Sequence, residues 1–254
     1  MWCGIDVGAS TAKMVLIDDG IVSTAIVPSG FDPVGTAEAV FEKGLQKAGI
    51  AKKEVQYIVA TGYGRTMVPM AFKSITEITC HAKGAYYLDS TVKTVIDIGG
   101  QDSKGISLNK GKVQDFVMND KCAAGTGKFL EVMARALEVD LKELGGLSLT
   151  SQKKVSISST CTVFAESEVI SHKNQGKKKE DIIAGVHEAI ASRVYAMVNQ
   201  IPVKETIMVT GGVALNQGVV NALKTKIKKE IIIPKDPQIV GALGAALLAK
   251  ENVT

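Results

Sequence analysis

The chain reads Ile5-Asp6-Val7-Gly8-Ala9-Ser10-Thr11-Ala12-Lys13 near its start and Ile96-Asp97-Ile98-Gly99-Gly100-Gln101-Asp102-Ser103-Lys104 further on. In both copies an apolar run leads to an Asp, a glycine turn and, seven positions after the Asp, a Lys. A glycine also follows each Asp by fourteen positions, at Gly20 and Gly111. Apolar runs between glycine turns are typical of β-hairpins, so the repeat predicts two related halves.

Each copy combines groups that suit a nucleotide triphosphate. Glycine lets backbone N–H groups approach an anion closely, and Ser or Thr hydroxyls add further donors. Asp6 and Asp97 each lie at a predicted strand end, where a carboxylate can hold a hydrated Mg²⁺. The repeat therefore predicts a triphosphate held between two facing domains. A gene duplication that leaves two hairpins without any ligand is the alternative.

The composition is that of an ordinary globular protein. Its 254 residues, 46% hydrophobic and 22% charged, are enough for one large or two small domains. A net charge of +4 is too small to indicate nucleic-acid binding, and the basic runs at 177–179 and 224–229 suit a solvated surface. The sequence shows neither a run long enough to span a membrane nor a signal peptide. We therefore expect a cytoplasmic protein whose thiols stay reduced.

The apolar pattern predicts a similar order of elements twice. In the first half we expect strands at 2–7, 14–18, 21–27 and 55–60 and helices at 35–48 and 80–88. In the second half we expect strands at 93–98, 104–108, 113–118, 206–210 and 230–233 and helices at 125–138, 163–172, 181–199, 215–227 and 238–250. The fold class is thus α/β with a mixed sheet in each half. The domains, 1–90 and 91–254, are divided on the repeat alone.

A third glycine element ends a predicted strand and opens a predicted helix, at Val209-Thr210-Gly211-Gly212-Val213-Ala214-Leu215-Asn216. Flat glycine backbone can lie against an adenosine, and a helix N-terminus favours anions. A tight strand–helix turn without a ligand is the alternative. A P-loop is absent, because residues 122–129 lack its first glycine and its final Ser or Thr. No Gly-x-Gly-x-x-Gly follows a strand, which argues against a dinucleotide fold.

Two cysteines, Cys122 and Cys161, each stand shortly before a predicted helix, where unpaired N–H groups stabilise a thiolate. Two soft ligands per chain are half of what a cubane iron–sulfur cluster needs, and a two-fold dimer would supply the other pair. Two free, partly buried thiols are the alternative, as is a zinc site that adds Cys80 and His81. Cys3 falls inside the first strand and suits core packing.

The three glycine elements together resemble those of actin, Hsp70 and the sugar kinases, in which ATP lies between two domains that close on it. Residues 6–13 look like the first phosphate motif of that superfamily, 97–104 like the second, and 210–216 like the adenosine motif. The resemblance implies a duplicated actin-like ATPase (ribonuclease H-like) fold, with two mixed-sheet domains flanking a nucleotide cleft.

The superfamily resemblance also implies roles for single residues. Asp6, Asp97 and Gln101 would be catalytic, with both Asp side chains acting on Mg²⁺ through water. Contacts to ATP are implied for Gly8, Ala9, Ser10, Thr11, Ala12, Lys13, Gly99, Gly100, Gln101, Gly211, Gly212, Val213, Asn216 and Gln238.

Further segments narrow the resemblance: 60–65, 79–82, 119–127, 158–171 and 241–246. With the Asp97 segment they look like the BadF/BadG/BcrA/BcrD-type ATPase family, which includes the activators of 2-hydroxyacyl-CoA dehydratases. The likeness covers nearly the whole chain, and the two cysteine segments are its most specific part. One departure is that Ala9 follows Gly8, where the family usually has Ser or Thr, so that a hydroxyl contact to phosphate is shifted or lost there.

The family resemblance implies a homodimer in which Cys122 and Cys161 of each chain hold one bridging [4Fe–4S] cluster. It implies an ATPase that takes an electron from a ferredoxin or flavodoxin and delivers it to an iron–sulfur dehydratase component. Three other functions stay open. One is an activator of a benzoyl-CoA reductase or a double-cubane cluster protein, another is a small-molecule sugar kinase, and the third is an actin-like filament or scaffold.

Overall fold

A computed structural model describes residues 1–158 and 161–252, so that Ser159 and Thr160 of the second cysteine segment and the last two residues lie outside it. Within the described part, the first sheet has five strands: β1 (Trp2–Val7), β2 (Thr11–Ile17), β3 (Ile21–Pro28), β4 (Tyr57–Thr61) and β5 (Lys73–Ser74). They lie in the order β3-β2-β1-β4-β5, with β1 antiparallel to β2 and parallel to β4.

The second sheet of the described residues repeats this arrangement with β6 (Thr94–Ile98), β7 (Ser103–Asn109), β8 (Lys112–Asn119), β9 (Ile207–Thr210) and β10 (Ile231–Ile232). The order is β10-β9-β6-β7-β8, in which β6 is antiparallel to β7 and parallel to β9. Asp6 lies opposite Lys13 in one hairpin, and Asp97 lies opposite Lys104 in the other. The predicted pair of mixed sheets is confirmed.

Helices connect and cover the strands: α1 (Pro33–Ala48), α2 (Glu77–Leu88), α3 (Gly127–Leu137), α4 (Leu144–Leu149), α5 (Thr162–Asn174), α6 (Lys179–Val198), α7 (Gln217–Ile227) and α8 (Val240–Glu251). Helix α1 shows why they form where they do. The Asp32 side chain accepts from the backbone N–H groups of Val34 and Gly35, Pro33 takes the first helical position, and Gly49 ends the helix at φ 69°.

Most element boundaries agree with the sequence prediction within two residues. Strand β2 begins three residues early, at Thr11, and α2 begins at Glu77 because Thr76 caps it. The helix predicted at 215–227 begins at Gln217, since Gly212–Leu215 forms a separate 3₁₀ turn. The sequence does not predict β5 or α4, because β5 has two residues and the paired glycines of α4 lower its helix propensity.

Two helices lie between the sheets. Helix α8 packs on β1, β2 and β4 of the first sheet, although it ends the chain, and α2 packs on α8 and on the β6–β8 hairpins of the second sheet. Separate apolar cores fill the other faces, one under α1 and one among α3 to α7. The division at residue 90 stays a prediction, and α8 packs with the first sheet rather than the second.

Among the described residues, we find no helix with the length and apolar character needed to cross a membrane.

Candidate nucleotide site

A cavity of about 470 Å³ lies where the two hairpin turns face each other. Nearly all of the residues predicted to contact a nucleotide line it: Asp6, Gly8, Ala9, Ser10, Thr11, Lys13, Asp97, Gly99, Gly100, Gln101, Gly211, Gly212, Val213, Asn216 and Gln238. Three segments far apart in the sequence thus meet around one space, which is the arrangement that the three glycine elements predict.

Ala12 is the exception among the predicted residues. Side chains alternate along a strand, and Thr11 and Lys13 of β2 line the cavity while Ala12 lies fully buried in the core beneath α1. The Ala12 methyl group therefore packs on the face of the strand opposite the cavity, and the implied contact of Ala12 with ATP stays a prediction.

The two glycine turns, 8–11 and 99–102, are in contact across the cavity. A Cβ added to Gly100 would collide with the Ser10 side chain, so a larger residue at 100 would push the turns apart. The carbonyl oxygens of Gly99 and Gly100 accept from the backbone N–H groups of Gly127 and Lys128, at 2.8 and 2.7 Å. The second glycine turn is thereby hydrogen-bonded to the first turn of α3.

The two Asp residues at the strand ends are buried beside cations. The Lys13 ammonium lies 3.6 Å from an Asp6 carboxylate oxygen. Thr210 Oγ1 donates to Asp97 at 2.8 Å, and the Lys104 ammonium lies 3.4 Å from the same carboxyl group. Burial alone would raise the pKa of Asp97, but nearby His81 and Lys104 and the Thr210 hydroxyl outweigh it and hold that pKa at about 2. Asp97 is therefore ionised at neutral pH.

Three further polar residues line the cavity, Glu77, His81 and Lys104, and none of them is among the residues that the sequence predicts to contact a nucleotide. Glu77 and His81 lie four positions apart, on one face of α2, and both line the cavity. The buried Lys104 ammonium bridges Glu77 and Asp102 at 2.6 Å each. Burial raises the pKa of Glu77 in spite of that ammonium. The four-residue spacing of Glu77 and His81 on a helix is a sequence signal that could have identified this pair. Lys104 could have been identified because it repeats the position of Lys13.

An apolar wall closes another part of the cavity. Leu130, Leu141 and Leu215 line it beside the Gly211–Gly212 turn. Nucleotide pockets commonly pair an apolar surface with a few placed polar groups, and this wall suits the face of a nucleobase. Leu215 belongs to the third glycine element of the sequence, whereas no sequence motif identifies Leu130 and Leu141, which come from two other segments.

The turn that follows β9 needs glycine at its first position. Gly211 has φ 86° and ψ 176°, a conformation that residues with a Cβ avoid, and its N–H donates to the Pro237 carbonyl at 2.9 Å. A Cβ there would collide with the Ile98 carbonyl oxygen and come within 2.9 Å of an Asp97 carboxylate oxygen. The turn thus packs directly on the strand end that carries Asp97.

We expect Gly211→Ala to lower the free energy of unfolding by about 2 kcal/mol or more, since it adds backbone strain to a steric clash. Urea denaturation measures that loss, and calorimetric titration with ADP should show weaker binding, because Asp97 must move. Gly146→Ala is the matched control, since a Cβ there meets open space. Equal ADP affinity in both variants would show that Gly211 does not contribute to nucleotide binding.

The side-chain amide of Asn216, which follows the same turn, binds two protein groups. Its Oδ1 accepts from Val219 N at 3.1 Å and caps α7, and its Nδ2 lies 3.2 Å from His187 Nε2. Burial lowers the pKa of His187 to about 4, so the imidazole is neutral and can accept from the amide. Both ends of the Asn216 side chain therefore bind protein groups, and its contact with a nucleotide stays a prediction.

His187 predicts a pH dependence of stability. Its pKa lies at about 4 in the folded chain and near 6.5 when unfolded, so the unfolded state takes up the proton first as pH falls. The contribution of His187 to the free energy of unfolding is complete above pH 6.5, and it decreases by about 3 kcal/mol as the pH falls to 4. Urea denaturation at several pH values should show a shallower decline for His187→Gln than for the wild type. Parallel curves would contradict this assignment.

The four cysteines divide into two buried and two exposed residues. Cys3 and Cys80 are buried, and burial raises the pKa of both thiols, that of Cys80 to about 12. Cys122 and Cys161 are exposed, which contradicts the partial burial expected in the alternative of two free thiols. No group of three or more His, Cys, Asp or Glu side chains is placed to hold a metal ion among residues 1–158 and 161–252, so the zinc site that would join Cys80 and His81 to the exposed pair is not formed.

The exposed cysteines differ in their relation to the helices. Cys161 is the N-cap residue of α5, as the sequence predicts. Cys122 lies in the loop between β8 and α3, five positions before α3 begins at Gly127. The prediction of a helix N-terminus at Cys122 is therefore wrong, because residues 123–126 form a turn in which Thr126 bonds back to the Ala123 carbonyl.

Comparisons with known proteins agree along the whole length of the chain. Residues 3–249 match the BadF/BadG/BcrA/BcrD ATPase family. The 2-hydroxyisocaproyl-CoA dehydratase activator of Clostridioides difficile is 49% identical over 249 residues, which cover 97% of this chain and 93% of that protein.

Two crystal structures resemble the chain throughout. Component A of the Acidaminococcus fermentans (R)-2-hydroxyglutaryl-CoA dehydratase has a TM-score of 0.96 at 46% identity, over 99% of this chain and 98% of that one. The activator of the Clostridium difficile 2-hydroxyisocaproyl-CoA dehydratase with bound ADPNP has a TM-score of 0.95 at 47% identity, over 99% and 95%. The predicted actin-like ATPase fold is confirmed. The chain therefore belongs to the BadF/BadG/BcrA/BcrD ATPase family.

Proposed function

We propose that this chain is an ATP-dependent reductive activator of a 2-hydroxyacyl-CoA dehydratase. The observation that carries the proposal is its 49% identity, over nearly the full length, to a protein named as such an activator. Two features of the structure support it: a cavity lined by both Asp–glycine turns, and a pair of exposed thiols outside that cavity. The first suits an ATPase, and the second suits a redox group.

The charges in the cavity suit a nucleotide bound with Mg²⁺. Four carboxylates, of Asp6, Glu77, Asp97 and Asp102, face the ammonium groups of Lys13 and Lys104. Four carboxylates and two ammonium groups, when all are ionised, leave two net negative charges, which a hydrated divalent cation can offset. Asp6 and Asp97 would hold that cation through water, and the backbone of the two glycine turns would take the phosphates.

Hydrolysis needs a group that positions or deprotonates the attacking water. Gln101 is exposed on the cavity wall and can orient a water by hydrogen bonding. Glu77 has a raised pKa, which makes its carboxylate a better proton acceptor than an ordinary glutamate. We assign Gln101 to orientation of the water and Glu77 to removal of its proton.

The exposed thiols fit half of the ligand set of a [4Fe–4S] cluster. Cys161 is exposed at the N-terminus of α5, where no side chain among the described residues caps the helix. Cys122 has an exposed thiol on a structured loop. Two chains would supply four thiolates, and the cluster would supply an electron of low potential when bound.

Exposed apolar side chains next to both cysteines support a homodimer. Phe116 and Met118 precede Cys122 on β8, and Val163 and Phe164 follow Cys161 on α5. Phe164 is 68% exposed. Apolar surface of this kind is commonly covered by another protein, and a second copy would cover it while bringing the remaining thiols.

The nucleotide site has a direct connection to one cysteine loop. The Gly99 and Gly100 carbonyls hold the first turn of α3, and the Cys122 loop leads into that turn. Movement of the phosphate turn on ATP binding would therefore move the backbone that carries Cys122. Coupling to ATP is needed, because making one electron about 300 mV more reducing costs about 7 kcal/mol, more than a few hydrogen bonds supply.

We infer three partners from this role. A ferredoxin or flavodoxin would donate the electron, a second copy of the chain would complete the redox site, and an iron–sulfur dehydratase component would accept the electron. Exposed free thiols suit a reducing compartment, so we place the protein in the cytoplasm of an anaerobic cell.

The experiment is a reconstitution without oxygen. Purified inactive dehydratases for 2-hydroxyisocaproyl-CoA, lactoyl-CoA and 2-hydroxyglutaryl-CoA are each mixed with the chain, Mg-ATP and a reduced ferredoxin, and dehydration is followed. Activity that needs both ATP and this chain supports the proposal. Activation of a benzoyl-CoA reductase or a double-cubane protein alone would assign another iron–sulfur partner. ADP formation that needs an added sugar would assign a kinase instead.

A further inference from the structure

The backbone around Cys122 is held by one side chain. Asn119, the last residue of β8, accepts from Cys122 N through Oδ1 at 3.2 Å and donates from Nδ2 to the Cys122 carbonyl at 2.9 Å. The same Nδ2 also donates to the Ala124 carbonyl at 3.1 Å. Both backbone polar groups of Cys122 are thus bound to a single amide, while its thiol stays exposed.

A carboxylate does the same for the segment that leads to Cys161. Both oxygens of Glu168, on the second turn of α5, accept from Ser158 N at 3.0 and 3.1 Å. Ser158 Oγ also donates to Glu168 at 3.1 Å. The chain arriving at Cys161 is therefore tied to the helix that begins there, three positions after Ser158.

The contacts of Asn119 and Glu168 have one feature in common: each joins a side chain of a regular element to the irregular segment next to a cysteine. Each cysteine lies on irregular backbone at the protein surface, where a loop without such ties would sample many conformations. Asn119 of β8 binds three backbone groups of the first loop, and Glu168 of α5 binds the backbone N–H and the side-chain hydroxyl of Ser158. The backbone of Cys122 and the described residue Ser158, three positions before Cys161, are thereby bound without any ligand present.

We propose that Asn119 and Glu168 are positioning residues, which hold the Cys122 and Cys161 thiols in the arrangement that a shared metal cluster needs. The inference rests on the proposed function for the identity of that cluster. It extends to this chain's own residues the rule that groups behind a metal ligand orient it and tune the site. Neither Asn119 nor Glu168 lines the nucleotide cavity.

The test uses Asn119→Ala and Glu168→Ala with two matched controls. Gln114→Ala removes an exposed amide from the same strand as Asn119, and Glu166→Ala removes a carboxylate from the same helix as Glu168. In the metal-free dimer, iodoacetamide alkylation followed by mass spectrometry gives the rate at each cysteine separately. We expect Asn119→Ala to change the Cys122 rate about fivefold and leave Cys161 unchanged, and Glu168→Ala to do the converse.

The second readout is iron retention in protein purified without oxygen. A ferrous chelator should remove iron about tenfold faster from each positioning variant than from its control, with ADP affinity and unfolding free energy near wild type. Unchanged alkylation at both cysteines would overturn the inference, as would equal changes at both in either variant. Iron-free wild-type protein would contradict the proposed cluster, whereas the alkylation result would still decide whether Asn119 and Glu168 position the thiols.

Discussion

Asp97→Asn should abolish ATP hydrolysis, with kcat lower by about 100-fold or more. The substitution keeps the size of the side chain and removes its charge. That charge is present throughout the working pH range, because the pKa of Asp97 lies at about 2. The neutral amide would weaken Mg²⁺ binding and leave the Lys104 ammonium without part of its compensation. A coupled assay of ADP release measures the effect.

The control for this variant is Asp115→Asn, which removes an exposed charge from β8. It should hydrolyse ATP at the wild-type rate. ADP binding measured by calorimetry separates loss of chemistry from loss of folding, since Asp97→Asn should retain measurable affinity through the apolar wall of Leu130, Leu141 and Leu215. Normal turnover by Asp97→Asn would show that the phosphates bind elsewhere.

Cys122→Ala and Cys161→Ala should each remove the cluster completely. Each thiol counts twice in a two-fold dimer, so one substitution takes away two of four ligands. Wild-type protein purified without oxygen should contain about four irons per two chains and show the absorption of an iron–sulfur cluster. Both variants should be colourless and contain almost no iron, while they keep ATP binding, because neither cysteine lines the described cavity.

Cys80→Ala is the control for the cysteine variants. Its thiol is buried and its pKa is raised to about 12, so it is unsuited to ligate iron as a thiolate. It should keep the wild-type iron content at some cost in stability. If Cys122→Ala retained iron while Cys80→Ala lost it, the ligand assignment would be wrong.

The repeat carries most of the information from which the site can be predicted. Asp6 and Asp97 recur with Lys at the same spacing, and a hairpin of fixed register places each Lys opposite its Asp. Local pairing of this kind depends on short-range sequence, so the pattern predicts it. Ala12 shows a limit of this prediction. A linear motif does not distinguish the two faces of a strand, so it does not tell which of its residues line the cavity.

Other parts of the site depend on contacts between distant segments. Glu77 reaches the cavity because α2 packs between the sheets, and this position depends on α8, which lies at the far end of the chain. The hydrogen bonds from the start of α3 to Gly99 and Gly100 join backbone groups, and the residue types do not indicate which backbone groups pair. The sequence thus predicts the hairpins and the glycine turns, but not the helix face that completes the site between them.

The most direct test of the account is electron paramagnetic resonance of the reduced, oxygen-free dimer mixed with a 2-hydroxyacyl-CoA dehydratase. We predict that the cluster signal is lost, and that the dehydratase gains one electron per dimer, only when Mg²⁺ and hydrolysable ATP are present. A signal that decays equally with and without ATP, or a dimer that shows no cluster signal after reduction, would contradict the account.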